Sequence, residues 1–245
     1  MNDDCKWLAN AIEKARHLVV FTGAGISAES GISTYRGDDG IWNRYDPNKF
    51  ADINQFLADS TYYWNFFREV RYPMIAKARP NPAHLTLANL ERNGTLKSVI
   101  TQNIDGLHQM AGSKQVLELH GNTRRINCLK CGHRHAMGSI FEQLDRRLPP
   151  LCVRCAGAVK PDVVFFGEAL PAEVLTAAVE QSRACDLFVV VGSSLVVHPA
   201  AALPAMAGEN GARLVVINKD PTPMDHLAVK VFRQPAAVLL GGLGL

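Results

Sequence analysis

The sequence predicts an α/β fold with a doubly wound parallel sheet that is interrupted by two inserted segments. Four short apolar runs are rich in β-branched residues, which is typical of strands buried on both faces of a parallel sheet. Each run ends in a polar motif, and open parallel sheets bind ligands just beyond the carboxyl ends of their strands. We therefore expect four distant segments to line one crevice. The runs are Leu18–Thr22, Ser98–Thr101, Leu187–Val191 and Leu214–Ile217.

The elements around these runs follow from periodicity and from breaker residues. Asn2–Arg16 has apolar residues on one helical face and leads into the first run. Phe50–Ala78 carries aromatic residues mostly three and four positions apart, which predicts a helical segment with its aromatics in the core, ended by Pro80. The further predicted elements are a helix at His84–Asn93 closed by Gly94, a strand at Asp162–Phe166, and helices at Ala172–Ser182 and Ala200–Asn210.

Length and composition restrict the kind of protein. The chain has 245 residues, enough for one large α/β domain with a small inserted module. Its 26 basic and 23 acidic residues give a net charge of +3, which is too even to indicate nucleic-acid binding, and we predict none. No apolar run approaches the roughly 20 residues that span a bilayer, and Met1–Lys6 carries aspartates where a signal peptide begins with basic residues. We therefore expect a cytoplasmic protein that does not enter the membrane.

A glycine-rich loop follows the first run and fits the G-x-G-x-x-G/A pattern of dinucleotide-binding loops. Glycines let the backbone approach a pyrophosphate, and free amides at a helix start bind it. The alternative is an ordinary tight turn. Further along, Tyr35 and Arg36 end a stretch of small residues, where Arg36 either opposes phosphate charge or lies in solvent. The loop begins with Gly23, Ala24, Gly25, Ile26 and Ser27.

A polar motif follows the second run as Gln102, Asn103, Ile104 and Asp105. Burying an amide and a carboxylate is costly unless a partner satisfies them, and a bound ligand is one such partner. The alternative is an Asn/Asp turn that caps a helix beginning near Gly106.

A histidine, His120, closes the apolar run Leu117–Leu119 and is followed by Gly121. The ordinary pKa of histidine lies near neutrality, which suits a general base. The alternative is a histidine with a structural role, and His198 is the nearest rival for the catalytic one.

Small and polar residues also follow the last two runs. Hydroxyls at one strand end and an amide at the next suit an adenosine moiety lying across the sheet, although each motif alone is also typical of a strand-to-helix turn. The residues are Gly192, Ser193, Ser194, Asn218, Lys219 and Asp220.

Four cysteines form two C-x2-C pairs separated by 20 residues, a pattern typical of tetrahedral zinc. Four thiolates leave no open coordination position, so the predicted zinc ion is structural and not a Lewis acid. The ligands are Cys128, Cys131, Cys152 and Cys155.

These motifs, taken in order, strongly resemble those of the sirtuins, the NAD-dependent protein deacylases. The resemblance covers about residues 10–240, and the glycine-rich loop and the Gln-Asn-Ile-Asp motif are its most specific parts. It implies a Rossmann-type NAD-binding domain made of residues 1–34, 81–123 and 161–245. It also implies a smaller inserted domain, made of residues 35–80 and 124–160, that joins a helical module to a zinc ribbon. The motifs are Gly23–Gly37, Thr101–Asp105, His120-Gly121, the four cysteines, Val163–Glu168 and Gly192–Leu195.

The resemblance also implies residue roles. His120 is similar to the catalytic general base, and Asn103 to a second catalytic residue in the nicotinamide pocket. Val164, Phe165, Phe166 and Gly167 match the segment that pairs with a substrate peptide as a β-strand. The positions implied to bind NAD are Gly23, Ala24, Gly25, Ile26, Ser27, Tyr35, Arg36, Gln102, Asn103, Ile104, Asp105, Gly192, Ser193, Ser194, Asn218, Lys219 and Asp220.

The implied reaction uses NAD as a co-substrate and an acyl-lysine protein or peptide as the partner. The acyl oxygen attacks the ribose C1′ as nicotinamide leaves, and His120 then deprotonates a ribose hydroxyl that attacks the acyl carbon. The products are nicotinamide and O-acyl-ADP-ribose. Two other functions stay open: an NAD-dependent protein ADP-ribosyltransferase, and a non-catalytic NAD-sensing interaction module built on the zinc ribbon.

The sequence departs from the family pattern at two places, and the second of them concerns the acyl group. Tyr35 stands where many sirtuins have phenylalanine. Sirtuins that prefer succinyl or malonyl groups carry a Tyr-x-x-Arg pair, and the stretch matched to it here is Phe67–Val70. Because an apolar pocket cannot pair a carboxylate, we expect acetyl or a longer aliphatic acyl group to be preferred.

Overall fold

A computed structural model describes residues 2–35 and 40–244. Its larger sheet has six parallel strands in the order β3-β2-β1-β7-β8-β9, and a second sheet has three antiparallel strands in the order β5-β4-β6. In chain order the strands are β1 Leu18–Thr22, β2 Leu96–Thr101, β3 Val116–Glu118, β4 Gly121–Cys128, β5 Arg134–Ala136, β6 Val159–Val163, β7 Leu187–Val191, β8 Arg213–Ile217 and β9 Lys230–Phe232.

Helices cover both faces of the larger sheet and form a separate layer beside it. Short 3₁₀ segments lie at Ala24–Ser30, Ile41–Asn43, Ala200–Ala202 and Asp225–Leu227, and one π-helical turn lies at Phe67–Arg71. The α-helices are α1 Asp3–Glu13, α2 Pro47–Phe50, α3 Ile53–Ala58, α4 Thr61–Phe66, α5 Tyr72–Lys77, α6 Pro82–Arg92, α7 Leu107–Ala111, α8 Met137–Leu144, α9 Ala172–Ala184, α10 Leu203–Glu209 and α11 Ala236–Gly241.

The four predicted strands are confirmed as β1, β2, β7 and β8, the central strands of the larger sheet. Every residue of β1 and β7 is buried, which explains why these strands are continuous apolar runs and do not alternate with polar residues. The strand order reverses direction at β1, between β2 and β7. In doubly wound sheets the ligand crevice lies at this switch point.

The predicted strand at Asp162–Phe166 is wrong in both position and sheet. The strand present is β6, and it pairs antiparallel with β4 in the smaller sheet. Beyond Val163 the chain leaves this strand pairing, and the Phe165 amide donates to the Glu168 carboxylate at 2.7 Å. Phe166 instead pairs with the helical layer through Ala51 and Ile53. The doubly wound sheet therefore has no strand in this segment.

The segment Phe50–Ala78 is helical as predicted, but it is divided into short pieces. Asp52 caps α3 by accepting from the Gln55 amide. Pro73 has no amide hydrogen to continue the α-helical ladder, and the π turn at Phe67–Arg71 ends two residues before it. Core packing of the aromatics is confirmed, since the side chains of Trp64 and Phe67 are fully buried.

The remaining predicted helices are present with shifted ends. Asn2 and Asn81 are caps, so α1 and α6 begin one residue beyond each of them. The predicted helix at Ala172–Ser182 is α9, which continues to Ala184. The one predicted at Ala200–Asn210 starts as a 3₁₀ turn and becomes α10.

Three hydrophobic clusters form the core. Two of them cover opposite faces of the larger sheet. The third joins aromatic residues of the segment 41–67 to residues of the cysteine-bearing segment, including Ile126, Ile140 and Val159. The helical layer and the small sheet therefore pack as one unit beside the larger sheet. No helix in the described part of the chain combines the length and the apolar content that a bilayer crossing requires.

Candidate active site

One cavity of about 1240 Å³ lies at the carboxyl ends of β1, β2, β7 and β8, and it extends under the helical layer. The expectation that four distant segments line a single crevice is therefore confirmed. The predicted residues that line it are Gly23, Ala24, Gly25, Tyr35, Gln102, Asn103, Ile104, His120, Val164, Phe165, Phe166, Gly167, Gly192, Ser193, Ser194, Asn218, Lys219 and Asp220.

Glycines allow the loops after β1 and β7 to pack backbone against backbone. The amide of Gly25 donates to the carbonyl of Gly192 at 2.8 Å. A Cβ atom on Gly25 would lie 2.7 Å from the Gly192 Cα atom, and one on Gly23 would lie 2.7 Å from the Gly192 carbonyl oxygen. Because backbone atoms cannot move aside, only glycine fits at these positions. The floor of the cavity is therefore formed by main-chain atoms without side chains, which is called the bare-peptide floor below.

A buried polar cluster lies behind the glycine loop. The Asn103 side-chain amide donates to the Gly23 carbonyl at 3.0 Å and to the Ser27 hydroxyl at 3.2 Å. The Ser27 hydroxyl donates to one Asp105 oxygen at 2.8 Å, and the Leu107 amide donates to the other at 2.8 Å. Burial raises the pKa of Asp105, and these two hydrogen bonds oppose the rise. Ser27 and Ile26 line neither the large cavity nor the small one beside it; Asp105 lines the small one.

His120 is held by the backbone of the neighbouring strand end. Its Nδ1 atom lies 3.1 Å from the carbonyl oxygen of Gln102. A carbonyl only accepts hydrogen bonds, so Nδ1 carries the hydrogen and Nε2 is the basic nitrogen. Burial lowers the pKa of His120, and the bond to Gln102 partly opposes this. The neutral, basic form is therefore favoured. Gly121, next in the chain, has φ +74°, and a Cβ there would lie 2.0 Å from the Asp162 carbonyl oxygen.

The side chains after β2, β7 and β8 are also hydrogen-bonded. The Gln102 side chain donates to the Ser193 hydroxyl at 2.8 Å, which ties two strand ends together. The Asn218 side chain donates to the Asp220 carbonyl at 2.8 Å. Arg233 donates to the carbonyls of both residues, so the turn after β8, which lines the cavity, is cross-linked by hydrogen bonds.

The segment 164–167 forms the opposite wall. The Val164 amide donates to the carbonyl of His120 at 3.0 Å, so this wall is attached directly to the histidine. Phe166 is bonded through both its amide and its carbonyl, to Ala51 and Ile53 respectively. The Phe165 side chain is buried, whereas Phe166 is exposed. A peptide that adds a strand here must therefore use backbone groups other than those of Phe166.

Sequence reasoning missed the cavity residues of the helical layer, which are Trp42, Phe50, Ala51, Tyr63 and Arg71. Arg71 lines both the large cavity and the small adjoining one, and its Nη1 donates to the Tyr35 hydroxyl at 2.7 Å. The sequence interpretation assigned the aromatic residues of this segment to core packing, and an arginine on an aromatic-rich helix carries no signal of its own. Arg36, predicted to bind the cofactor, lies outside the described residues.

The four cysteines lie together at the end of the smaller sheet. All four sulfur atoms lie within 4.8 Å of one another. Two of the separations are 3.5 Å for Cys128–Cys155 and 3.8 Å for Cys131–Cys152. A zinc ion with bonds of about 2.3 Å to four sulfurs requires sulfur–sulfur distances near 4 Å, so the set fits zinc. The Cys131 amide lies 3.5 Å from the Cys128 sulfur. Backbone hydrogen bonds, chiefly this one, lower the pKa of Cys128 toward the thiolate form.

The geometry at the sheet's switch point is that of a dinucleotide-binding α/β enzyme with a zinc-ribbon module. The model of the Sir2 family matches residues 23–199. A curated relative, NAD-dependent protein deacylase 2 of Archaeoglobus fulgidus, is 46% identical over 241 residues, 98% of this chain and 94% of that protein. The chain belongs to the Sir2 family.

Solved structures of Sir2 enzymes have the same fold. A complex with a p53 peptide and NAD+ superposes with a TM-score of 0.90 at 39% identity, over 98% of this chain and 96% of that one. A complex with a propionylated peptide superposes with a TM-score of 0.88 at 37% identity, over 98% and 99% of the two chains. The likeness therefore extends over both the larger sheet and the inserted layers.

Proposed function

We propose that this protein is an NAD-dependent protein-lysine deacylase that removes acetyl groups and releases nicotinamide and O-acyl-ADP-ribose. The single observation that carries the proposal is the hydrogen bonding of the His120 ring. Its Nδ1 atom donates to the Gln102 carbonyl, so the other nitrogen, Nε2, is basic. The imidazole lines the cavity at the strand ends. A base so placed is what acyl transfer to a ribose hydroxyl requires.

NAD supplies a ribose carbon that becomes reactive when its bond to nicotinamide breaks. The residues we propose to hold it are those on the bare-peptide floor, Gly23, Ala24 and Gly25, with Gln102 and Ser193 between the strand ends. Backbone amides next to glycine suit phosphate oxygens. Asn218, Lys219, Asp220 and Ser194 suit the adenosine half, and Gly192 keeps the two loops in contact.

The nicotinamide half is assigned to the buried cluster. Asn103, Ser27 and Asp105 are preorganised by mutual hydrogen bonds, and Ile104 and Tyr35 add apolar surface next to them. Preorganised polar groups in a buried site bind a carboxamide with little loss of entropy. Asn103 is proposed as a second catalytic residue because it joins this cluster to the glycine loop. Arg36 belongs to the same proposal on sequence grounds alone.

The acyl-lysine peptide is assigned to the segment Val164–Gly167. Strand addition uses backbone hydrogen bonds and therefore tolerates many side chains. The hydrogen bond between the Val164 amide and the His120 carbonyl links the proposed peptide-binding segment directly to the residue that carries the base. A Sir2 enzyme has been solved with a propionylated peptide, which supports acyl-lysine as the substrate class.

The test is a panel of acyl-lysine peptides incubated with NAD, with nicotinamide and O-acyl-ADP-ribose measured separately by mass spectrometry. The proposal expects both products in equal amounts, and only when acylated peptide is present. Transfer of ADP-ribose to protein would indicate the ADP-ribosyltransferase alternative. Absence of nicotinamide release would favour the non-catalytic module. Either result would overturn the proposal.

The division into domains is proposed along the same lines. We assign residues 1–34, 81–123 and 161–245 to the NAD-binding domain and residues 35–80 and 124–160 to the small domain. The shared aromatic cluster of the two inserted segments supports this grouping.

We further propose a cytoplasmic location. The sulfur separations of 3.5 Å and 3.8 Å in the cysteine set are those of a metal site and not of disulfides, which suits a reducing compartment.

A further inference from the structure

A buried lysine adjoins the segment Val164–Gly167, to which the peptide is assigned. The Lys160 side chain is buried, and its ammonium group donates to the Val163 carbonyl at 2.6 Å. The same group lies 2.9 Å from a Glu168 carboxylate oxygen and 4.4 Å from the centre of the Phe165 ring. Burying an ammonium group is costly unless its charge is paired and its hydrogens are bonded, and both conditions are met here.

The Glu168 carboxylate holds the same segment from its other end. The oxygen that pairs with Lys160 also accepts from the Phe165 amide at 2.7 Å. The Glu168 amide in turn donates to the Phe165 carbonyl at 3.0 Å. Gly167 lies inside this turn with φ +90°, a left-handed conformation that glycine adopts without strain. The chain from Val163 to Glu168 is therefore closed on itself around one ammonium group.

Two further contacts attach the closed segment to its surroundings. The Val164 amide donates to the His120 carbonyl at 3.0 Å. On the other side the Phe165 ring packs edge-on against Phe56 of the helical layer, with ring centres 5.3 Å apart. All six residues 163–168 line the cavity, whereas Lys160 does not. A charge outside the cavity lining therefore fixes the position of one cavity wall.

The sheets do not explain how this wall keeps its shape. Residues 164–167 belong to neither sheet, so no strand ladder holds them extended. A peptide that adds as a strand binds most tightly to an edge that is already ordered, because ordering it on binding costs affinity. A buried ion pair is often no more stabilising than an apolar pair of similar volume. The Lys160–Glu168 pair is therefore better explained by the conformation that it imposes than by stability alone.

We propose that Lys160 and Glu168 are positioning residues for the acyl-lysine peptide, because their ion pair holds Val164–Gly167 in the conformation that receives it. This rests on the proposed deacylase function and deepens it. NAD is assigned to the bare-peptide floor and to the strand ends, which the pair does not touch. Loss of the pair should therefore weaken peptide binding and leave NAD binding nearly unchanged.

The experiment measures the Kd of an acetyl-lysine peptide and, separately, the Kd of NAD by calorimetry on the full-length protein. Peptide KM and kcat are measured in parallel. The variants are Lys160→Met, which keeps a long apolar stem, Lys160→Arg, which keeps a charge and donors, and Glu168→Gln, which keeps an acceptor for the Phe165 amide. The fourth protein combines Lys160→Met with Glu168→Gln. Melting temperature and zinc content report folding.

Arg125→Met is the matched control. Arg125 lies on β4, next to β6, and forms ion pairs with Glu118 and Asp162 at 2.8 Å each. These pairs belong to the same sheet and are partly exposed, but they do not contact residues 163–168. The control therefore removes an ion pair from the small sheet and leaves the closed segment intact.

We expect Lys160→Met to weaken peptide binding at least ~10-fold and to change the Kd of NAD by less than ~2-fold. Lys160→Arg should bind peptide more tightly than Lys160→Met. The combined variant should also bind more tightly than Lys160→Met, because the neutral amide leaves no unpaired charge and still accepts from Phe165. Arg125→Met should bind both ligands as the wild type does.

Wild-type peptide affinity in folded Lys160→Met overturns the inference. Equal losses of peptide and NAD affinity, or the same loss in Arg125→Met, also overturn it, since they indicate a general structural role. If Lys160→Met does not fold, Glu168→Gln decides, and unchanged peptide affinity there overturns the inference. A wild type that binds the peptide but releases no nicotinamide refutes the deacylase function, while the binding comparison still tests the positioning role.

Discussion

The Nδ1 atom of His120 lies 3.1 Å from the carbonyl oxygen of Gln102, and this contact determines which ring nitrogen is basic. The same histidine accepts the Val164 amide through its own carbonyl. The imidazole is therefore oriented by the strand end on one side and connected to the proposed peptide-binding segment on the other.

Replacing His120 by alanine should abolish most deacylation and leave the fold intact. The side chain makes one hydrogen bond, to a backbone carbonyl, and its backbone contacts survive the replacement. Loss of general-base assistance lowers the rate by ~10²–10⁴-fold. The measurement is single-turnover formation of O-acyl-ADP-ribose, with the melting temperature as the folding control. Turnover at the wild-type rate in a folded variant would contradict the assignment.

The activity of the wild type should persist below the ordinary titration range of histidine. Burial lowers the pKa of His120 from its ordinary value of 6.5, so more than half of the imidazole is in its basic form at pH 6.5. A base acts only when deprotonated, so the acidic limb of kcat/KM should have its midpoint below pH 6.5. A midpoint above that value, or an unchanged limb in the residual activity of His120→Ala, would show that another group titrates.

The glycine loop provides a test with an internal control. Gly25→Ala puts a Cβ 2.7 Å from the Gly192 Cα atom, so the two loops must separate. We expect an overpacking cost of about 1–3 kcal/mol in unfolding free energy and a loss of NAD affinity measurable by calorimetry. Gly208→Ala is the matched control, because a Cβ there meets nothing within 4 Å inside α10. Equal NAD affinity in the two variants would argue against close packing of these loops as the basis of the site.

The central strands could be predicted because burial on both faces leaves a signal that a single sequence carries. β1 and β7 are runs of apolar residues, and polar residues begin where the strands end. The strand β6 could not be predicted in the same way. It contains Lys160, Pro161 and Asp162, and its place depends on pairing with β4. Pairing between distant segments is a tertiary effect that overrides local propensity.

The residues of the candidate site also fall into a group that the sequence predicts and a group that it does not. Carboxyl ends of parallel strands meet at one edge, so the residues after β1, β2, β7 and β8 could be grouped from the positions of the apolar runs. Arg71 could not, since its position depends on how the helical layer folds over the cavity and on a π turn beside Pro73. From sequence alone, an arginine near aromatic residues is more often a solvated charge.

Zinc removal should unfold the smaller sheet. Activity should be lost because the fold is lost, and not because the zinc ion takes part in the reaction. Four thiolates complete the tetrahedron, so the ion has no position for substrate. We expect one zinc ion per chain by elemental analysis and none in Cys128→Ser. The Cys185→Ala variant is the control, because Cys185 lies in the core of the larger sheet, away from the cysteine set.

Exchange of cobalt for zinc distinguishes a structural ion from a catalytic one. A cobalt-substituted protein should retain wild-type kcat within about twofold, because the metal supplies folding energy and not Lewis acidity. A large change in kcat on exchange, with the fold preserved, would mean that the ion acts in the reaction.

Two buried histidines should make stability fall with acidification. The Nε2 atom of His108 lies 2.9 Å from the Thr22 hydroxyl oxygen. That hydroxyl donates to Thr101, so the histidine donates through Nε2. The His108 Nδ1 atom has no partner among the described residues. Burial lowers the pKa of His108 to about 3 and that of the neighbouring His84 to about 4, against 6.5 in the unfolded chain.

Between pH 7 and pH 5 the unfolded chain therefore takes up protons that the folded protein cannot, and the free energy of unfolding falls as pH falls. The contribution of His108 over this interval is about 2 kcal/mol. Urea denaturation at the two pH values should show that His108→Gln, which can still donate to Thr22 but does not titrate, loses about 2 kcal/mol less than the wild type. His226→Gln replaces an exposed histidine and is the matched control. An equal loss in wild type and His108→Gln would mean that the buried imidazole accepts a proton without cost.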